Sequence, residues 1–185
     1  MNKKFGFAFL IISSLGLYSC ISWVPNAYYY GIKEGGFAKS LKKKSKHPKL
    51  GKPFELIFTS LDGKKIDTTQ MKGKVILLDF YASWLPPYIR NIERMKKIYH
   101  SYQSENFQLI GISIDTNRTK LKEFVSNHEI KWPQYFDGRG WENQVLKDNN
   151  VTKVQSVWII NKEGLVVDTN ALSGIDEKMN KYLSK

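Results

Sequence analysis

Residues 75–88 read VILLDFYASWLPPY, and this stretch decides the fold. Its first part, residues 75–80, is an apolar run broken only by Asp79, which is typical of a strand buried on both faces of a sheet. Two prolines, Pro86 and Pro87, follow shortly after it, and proline is well tolerated in the first turn of a helix. Apolar residues then recur at helical spacing, at Tyr88, Ile92, Met95, Ile98, Tyr99 and Tyr102. The stretch therefore predicts a buried strand, a tight connection and a helix.

The rest of the chain after residue 50 continues this alternation of strands and helices. A hairpin is predicted around Asp62-Gly63, between strands at 54–58 and 64–66. Further strands are predicted over 107–114, 132–136, 157–160 and 165–167, and further helices over 119–127, 141–147 and 176–183. This order predicts an α/β fold with a central mixed sheet flanked by helices.

Composition is compatible with a folded domain that carries a basic arm. Of the 185 residues, 42% are hydrophobic and 14% aromatic, which suffices for a core. The formal net charge is +12, and its excess lies mainly in residues 20–49, where seven lysines stand against Glu34. Such an arm beside a membrane anchor is suited to anionic lipid head groups, or serves only as a solvated spacer. We expect no nucleic-acid partner.

The first twenty residues have the pattern of an export signal. Lys3 and Lys4 precede an apolar stretch over residues 5–17, and Leu17-Tyr18-Ser19-Cys20 follows. This end resembles the lipobox of bacterial lipoproteins, in which the cysteine receives a diacylglycerol and becomes the mature N-terminus. Tyr18 departs from that pattern. The alternative is an uncleaved membrane span over residues 5–24. Both interpretations place the domain on the extracytoplasmic, periplasmic side of a bacterial membrane.

We therefore predict three segments: a signal peptide over 1–19, a lipid-anchored basic linker over 20–49 and a domain over 50–185. Cys20 is the only cysteine, so the chain offers neither an internal disulfide nor a cysteine-based zinc site. Its histidines lie at no ligand spacing, at His47, His100 and His128. We expect no metal and no cofactor.

Five blocks of sequence occur in an order that is familiar: residues 50–54, 62–64, 73–84, 110–115 and 159–164. Together they resemble the extracytoplasmic thiol–disulfide oxidoreductases of the TlpA/ResA type, within the thioredoxin-like AhpC/TSA (redoxin) group. The resemblance implies a thioredoxin-like fold with an N-terminal β-hairpin and an αβ insertion.

The chain departs from this family at the residues that carry the chemistry. The family has Cys-x-x-Cys directly after its Ala-x-Trp, whereas this chain has Leu85-Pro86-Pro87-Tyr88. The family's cis-proline position corresponds to Gln155. A cis bond before a residue other than proline costs about 3–4 kcal/mol, so a trans bond is expected there. Asp79 matches the family's buried acid, which serves in proton transfer; here we expect a polar core residue satisfied by water or backbone.

Thiol–disulfide exchange needs an attacking thiolate and a second thiol that resolves the mixed disulfide. Leu85 has no heteroatom, and Tyr88 is a phenol with a reference pKa near 10 and no base evident beside it in sequence. We therefore expect a redox-inactive, degenerate site in a protein-binding or scaffold module. The alternative is an enzyme of this family with residual or unrecognised chemistry.

The resemblance also predicts where a partner would dock. It places the loop after the first central strand beside the former cis-proline loop, which groups Trp84, Leu85, Pro86, Tyr88, Val154 and Gln155 into one surface. Exposed apolar clusters of this kind often mark interaction sites, and the backbone N–H of Gln155 could pair with an extended peptide. Alternatively, Leu85 fills the space of the lost sulfur and closes the site.

The predicted anchor can be tested by metabolic labelling with a fatty acid. Because the lipid is attached through the sulfur of Cys20, the wild-type chain should incorporate the label and Cys20→Ala should not. Equal labelling of both proteins, or a mature wild-type chain that retains residues 1–19, would contradict the prediction.

Overall fold

A five-stranded mixed sheet organises residues 47–184, the part of the chain that the computed structural model describes. The strands are β1 (Ile57–Thr59), β2 (Lys65–Asp67), β3 (Val75–Tyr81), β4 (Phe107–Ser113), β5 (Gln134–Phe136), β6 (Ser156–Ile160) and β7 (Val166–Asp168). The helices are α1 (Pro86–Tyr102), α2 (Arg118–Asn127), α3 (Gln144–Asn149) and α4 (Ile175–Leu183). The order in the large sheet is β5-β4-β3-β6-β7, and β1 pairs with β2 in a separate hairpin.

Strand β3 lies at the centre of the sheet, as its apolar run predicts. It pairs in parallel with β4 from Val75↔Phe107 to Tyr81↔Ser113, and antiparallel with β6. Every residue of β3 is buried. Both faces are covered: α1, α2 and α4 contribute to the core on one face, while α3 and the β1–β2 hairpin contribute to the core on the other. The predicted α/β fold with a mixed sheet flanked by helices is confirmed.

Two predicted elements begin three residues away from the start of the observed ones. Strand β1 begins at Ile57 and not at Phe54, because the backbone of Phe54 donates to Gly164 O instead of pairing within the hairpin. The helix predicted over 141–147 is divided into a 3₁₀ turn (Gly140–Glu142) and α3. Asn143 separates them, because it is the non-helical cap whose side chain accepts from Leu146 N.

Four loops meet at one edge of the large sheet, since β3, β4 and β5 run parallel and end there, and antiparallel β6 begins there. We call this edge, formed by residues 82–85, 114–117, 137–143 and 150–155, the loop edge. It contains Leu85 and Gln155, and α1, which bears Tyr88, begins directly after its first loop.

The signal segment, Cys20 and most of the predicted linker lie outside the described residues. The described contacts begin at His47, whose ring packs edge-on against Trp158 with centroids 4.8 Å apart. No helix within residues 47–184 combines the length and apolar character needed to cross a bilayer.

Candidate functional site: a closed redox position at the loop edge

The start of α1 is built without free backbone donors. Leu85 is the N-terminal cap, in an extended conformation, and Pro86 and Pro87 have no N–H to offer. The next two amides, of Tyr88 and Ile89, both donate to Leu85 O, at 2.9 and 3.2 Å. A helix N-terminus binds an anion through unpaired N–H groups, so this one lacks the free donors that would stabilise a thiolate or another anion there.

Tyr88, at the second predicted redox position, is a core residue. Its side chain is 2% exposed, and its ring stacks on Tyr81 with centroids 4.4 Å apart and an interplanar angle of 21°. Its hydroxyl donates a 2.8 Å hydrogen bond to Asp79 Oδ2. The prediction that Tyr88 lies in a surface patch is wrong, because the first turn of α1 directs the ring inward against β3.

Asp79 is buried at the centre of β3, and its partner is a side chain. Burial raises its pKa from the ordinary 3.8 to about 7, and the hydrogen bond from Tyr88 partly opposes that rise. The expectation that water or backbone satisfies this acid is therefore corrected. Burial, followed by the nearby carboxylate of Asp79, raises the pKa of Tyr88 well above its usual value, so the phenol remains a proton donor and not a nucleophile.

Leu85, at the first predicted redox position, is half-buried. Its side chain packs against the hydrophobic cores on both faces of the sheet. This agrees with the alternative in which leucine fills the volume of the missing sulfur. With Tyr88 buried and Leu85 half-buried, both redox positions contribute to packing.

Residues beside the closed position remain exposed. Trp84 is 47% exposed and Ile89 is 44% exposed, and Pro86 between them is also exposed. We call these three residues the apolar patch. Sequence reasoning missed Ile89 as a surface residue. Its position in the helix does not match the spacing of the buried residues Tyr88, Ile92 and Met95, which predicts that it is exposed. That difference in phase was the available signal.

Gln155 does not have the role that the sequence suggested. Its backbone N–H donates a 2.5 Å hydrogen bond to Phe80 O, so the donor predicted for an extended peptide is already used. Its peptide bond is trans, as expected, and its φ is 63°. Since a proline ring fixes φ near −65°, this backbone could not be occupied by proline without rearrangement. Val154 beside it is half-buried against the core.

A buried carboxylate that the sequence analysis did not single out fixes the loop after β3. Asp115, 3% exposed, accepts from Ser83 N at 3.0 Å, from Ser83 Oγ at 2.5 Å and from Ser113 Oγ at 2.6 Å. These bonds tie the residue preceding Trp84 to the end of β4. Trp84 is therefore presented on a loop whose backbone is held in place.

The polar residues of the predicted redox site, Asp79, Tyr88 and Gln155, do not line a shared pocket. Asp79 and Tyr88 contact each other inside the core, and Gln155 lies in the loop before β6. Two surface clefts among the described residues are lined by other residues, one beside Lys49 and α3, the other between the β1–β2 turn and α2.

The raised pKa of Asp79 gives a testable pH dependence. In the native state the carboxyl of Asp79 keeps its proton up to about pH 7, whereas in the unfolded chain it releases the proton near pH 3.8. The contribution of Asp79 to the free energy of unfolding should therefore be greatest below pH 3.8. The free energy of unfolding should then decrease by roughly 4 kcal/mol as the pH rises to about 7, and should not change further above that pH. Tyr88→Phe removes the bond that opposes the shift, so it should raise the pKa of Asp79 further. Carboxyl NMR titration measures the pKa of Asp79 in both proteins, and denaturant unfolding at several pH values measures the change in stability.

Tyr102→Phe is the matched control, because it removes a tyrosine–aspartate hydrogen bond, to Asp176, at a distant exposed position. It should leave the titration of Asp79 unchanged. Titration of the wild-type Asp79 near 4, or an equal effect of the two tyrosine variants, would contradict the described contact.

Comparison with known proteins places this geometry in a family. The AhpC/TSA family model matches residues 49–169. The thiol-disulfide oxidoreductase ResA of Bacillus cereus (strain ATCC 10987 / NRS 248) is 26% identical over 163 residues, covering 88% of this chain and 90% of the relative. ResA of Bacillus subtilis (strain 168) is 21% identical over 128 residues, or 69% of this chain and 70% of the relative.

Solved structures show the same fold. A thiol-disulfide oxidoreductase from Bacteroides fragilis NCTC 9343 superposes with a TM-score of 0.62 at 20% identity, over 69% of this chain and 98% of the other. A thiol:disulfide interchange protein of the thioredoxin family from Chlorobium tepidum TLS superposes with a TM-score of 0.60 at 20% identity, over 72% and 96%. The chain belongs to the AhpC/TSA family, with a thioredoxin-like fold and ResA-type thiol–disulfide oxidoreductases among its relatives.

Proposed function

We propose that the chain is a membrane-anchored, extracytoplasmic thioredoxin-like module that does not exchange disulfides and binds a protein or peptide partner at the loop edge. One observation carries the proposal. The two positions that would hold the redox cysteines are used for core packing, with Tyr88 bonded to Asp79, while Trp84, Pro86 and Ile89 beside them remain exposed.

The redox part of the proposal depends on which nucleophiles remain. Leu85 cannot attack a disulfide, and the raised pKa of Tyr88 keeps its phenol protonated. The chain's only cysteine, Cys20, is proposed to carry lipid and to become the mature N-terminus. The ResA relatives show which chemistry the fold supports, but a fold carries that chemistry only where the reacting groups are present.

The binding part depends on the apolar patch and its support. Large apolar side chains exposed together often mark interaction sites, and tryptophan is enriched in interface cores. Asp115 holds the backbone of Ser83, so the loop that bears Trp84 needs little ordering when a partner docks, which reduces the entropic cost of association. The anchor at Cys20 would keep this surface close to the membrane and direct it to partners in the cell envelope.

Redox inactivity can be measured by insulin-disulfide reduction with dithiothreitol as the electron donor. Because no thiol pair exists in one chain, the full-length protein should give turnover no higher than dithiothreitol alone. Cys20→Ser serves as the control, because it removes the only thiol group of the chain. Catalysis that persists in Cys20→Ser, in a preparation free of thioredoxin, would show that unrecognised groups carry out the reaction and would contradict the proposal.

Partner docking can be tested by photocrosslinking in living cells with the full chain. A photoreactive amino acid at position 84 should give a discrete adduct, and the same amino acid at position 57 should not. Ile89→Ser should lower the yield at position 84 about fivefold, because it removes apolar area from the contact. Ile57→Ser is the matched control, because it makes the same substitution at another exposed isoleucine; Ile57 is 60% exposed and Ile89 is 44% exposed. It should not change the adduct yield at position 84. Equal effects of the two serine variants, or no adduct at position 84, would contradict docking at the apolar patch.

A further inference from the structure

The arginines of this chain are unevenly placed. The chain has many lysines but only Arg90, Arg94, Arg118 and Arg139 as arginines. Arg118 begins α2 directly after one loop of the loop edge, Arg139 lies within another, and Arg90 lies in the first turns of α1. All three are exposed. Arg94 has a different role, because its guanidinium donates to Leu172 O at 2.7 Å.

These arginines have no carboxylate partner within the described residues. None of the three forms an ion pair or a side-chain hydrogen bond there, and the contact found for Arg118 is with the ring of Phe136, whose centroid lies 5.9 Å from its Cζ. The loops that position Arg118 and Arg139 touch each other, since a Cβ added to Gly140 would lie 3.2 Å from Thr116 Cγ2. The residues that bear these two side chains therefore lie on or directly after neighbouring loops at the same end of the sheet.

The carboxylates of the loop edge are already occupied. Asp115 is buried and bonded to Ser83 and Ser113. Asp137 accepts from Arg139 N, Gln144 N, Asn143 Nδ2 and Tyr135 Oη. Glu142 pairs with Lys147. The surface that remains combines unpaired cations with two exposed tryptophans, Trp84 and Trp141, the second 49% exposed.

This combination selects one class of partner. Arginine presents a planar fork that binds carboxylates through two hydrogen bonds, whereas lysine acts as a point charge that is sufficient for a lipid surface. Arg139 within the loop edge and Arg118 directly after it are therefore suited to carboxylate recognition. Trp84 and Trp141 supply exposed apolar contact area on the loop edge.

We propose that the loop edge binds an acidic segment of a partner protein, whose carboxylates pair with Arg118 and Arg139 and whose apolar side chains contact Trp84 and Trp141. This inference rests on the proposed function, because it names the chemistry of the partner that docks there. The complementary charges would steer the encounter and set the register of the bound segment.

The experiment uses the full-length protein in detergent and two short fluorescent peptides, measured by fluorescence anisotropy. The peptides share their apolar residues, and one carries aspartate and glutamate where the other carries asparagine and glutamine. The acidic peptide should bind about tenfold more tightly at low salt, and this preference should shrink as salt is added. Arg118→Gln with Arg139→Gln should remove the preference and leave binding of the neutral peptide unchanged.

The matched control is Lys72→Gln with Lys97→Gln, which removes the same charge from exposed, unpaired lysines away from the loop edge. It should keep the preference. Equal binding of the two peptides by the wild-type protein, or equal loss in both double variants, would overturn the inference. So would displacement of the acidic peptide by soluble short-chain phosphatidylglycerol at lower concentration than by unlabelled peptide, because the surface would then be one for lipid.

A parallel crosslinking arm separates this inference from the proposed function. With the photoreactive residue at position 84, Arg118→Gln with Arg139→Gln should lower the adduct yield about threefold in cells, less than the tenfold at low salt, because physiological salt screens the charges. An adduct that forms equally well in that variant would overturn acidic recognition while docking at the apolar patch stands. No adduct from any variant would overturn the proposed function itself.

Discussion

The hydrogen bond from Tyr88 to Asp79 is the interaction on which the rest of this site depends. A carboxyl group buried at the centre of a sheet is costly unless a partner satisfies it, and at this position the partner is the phenol of Tyr88. The same ring fills the volume beside Tyr81. One side chain thus satisfies the acid and packs the core, which holds the first turn of α1 against the sheet.

The buried and the exposed residues of the site therefore have different roles. On the inside, Asp79, Tyr88 and Leu85 are engaged in packing and a hydrogen bond. On the outside, Asp115 anchors Ser83, so that Trp84 is presented on a fixed loop. A scaffold that presents loops at one sheet edge can retain binding after its chemistry is lost, because recognition needs shape and charge whereas disulfide exchange needs particular sulfur atoms.

Much of the fold could be predicted from sequence, because long apolar runs such as that of β3 require burial on both faces. The site was predicted in position but not in orientation. Tyr88 and Ile89 are adjacent and both have large apolar surfaces. Only their positions around the helix determine that Tyr88 faces the core and Ile89 faces outward. The Asp79–Tyr88 bond, the use of Gln155 N–H by Phe80 O, and the Asp115–Ser83 contact join residues on different elements. Local patterns carry no information about such pairings, because they depend on the register of strands and on side-chain rotamers.

The most direct test of this account is a double-mutant cycle of unfolding free energies with Tyr88→Phe, Asp79→Leu and the double variant, measured above the pKa of Asp79, because leucine has no atom that could accept from the phenol. If the phenol satisfies the buried acid, the two changes should be coupled by about 1–3 kcal/mol, because loss of either partner leaves the other unsatisfied. Additive effects, with coupling below about 0.5 kcal/mol, would show that the two side chains act independently and that the closed site described above does not depend on their contact.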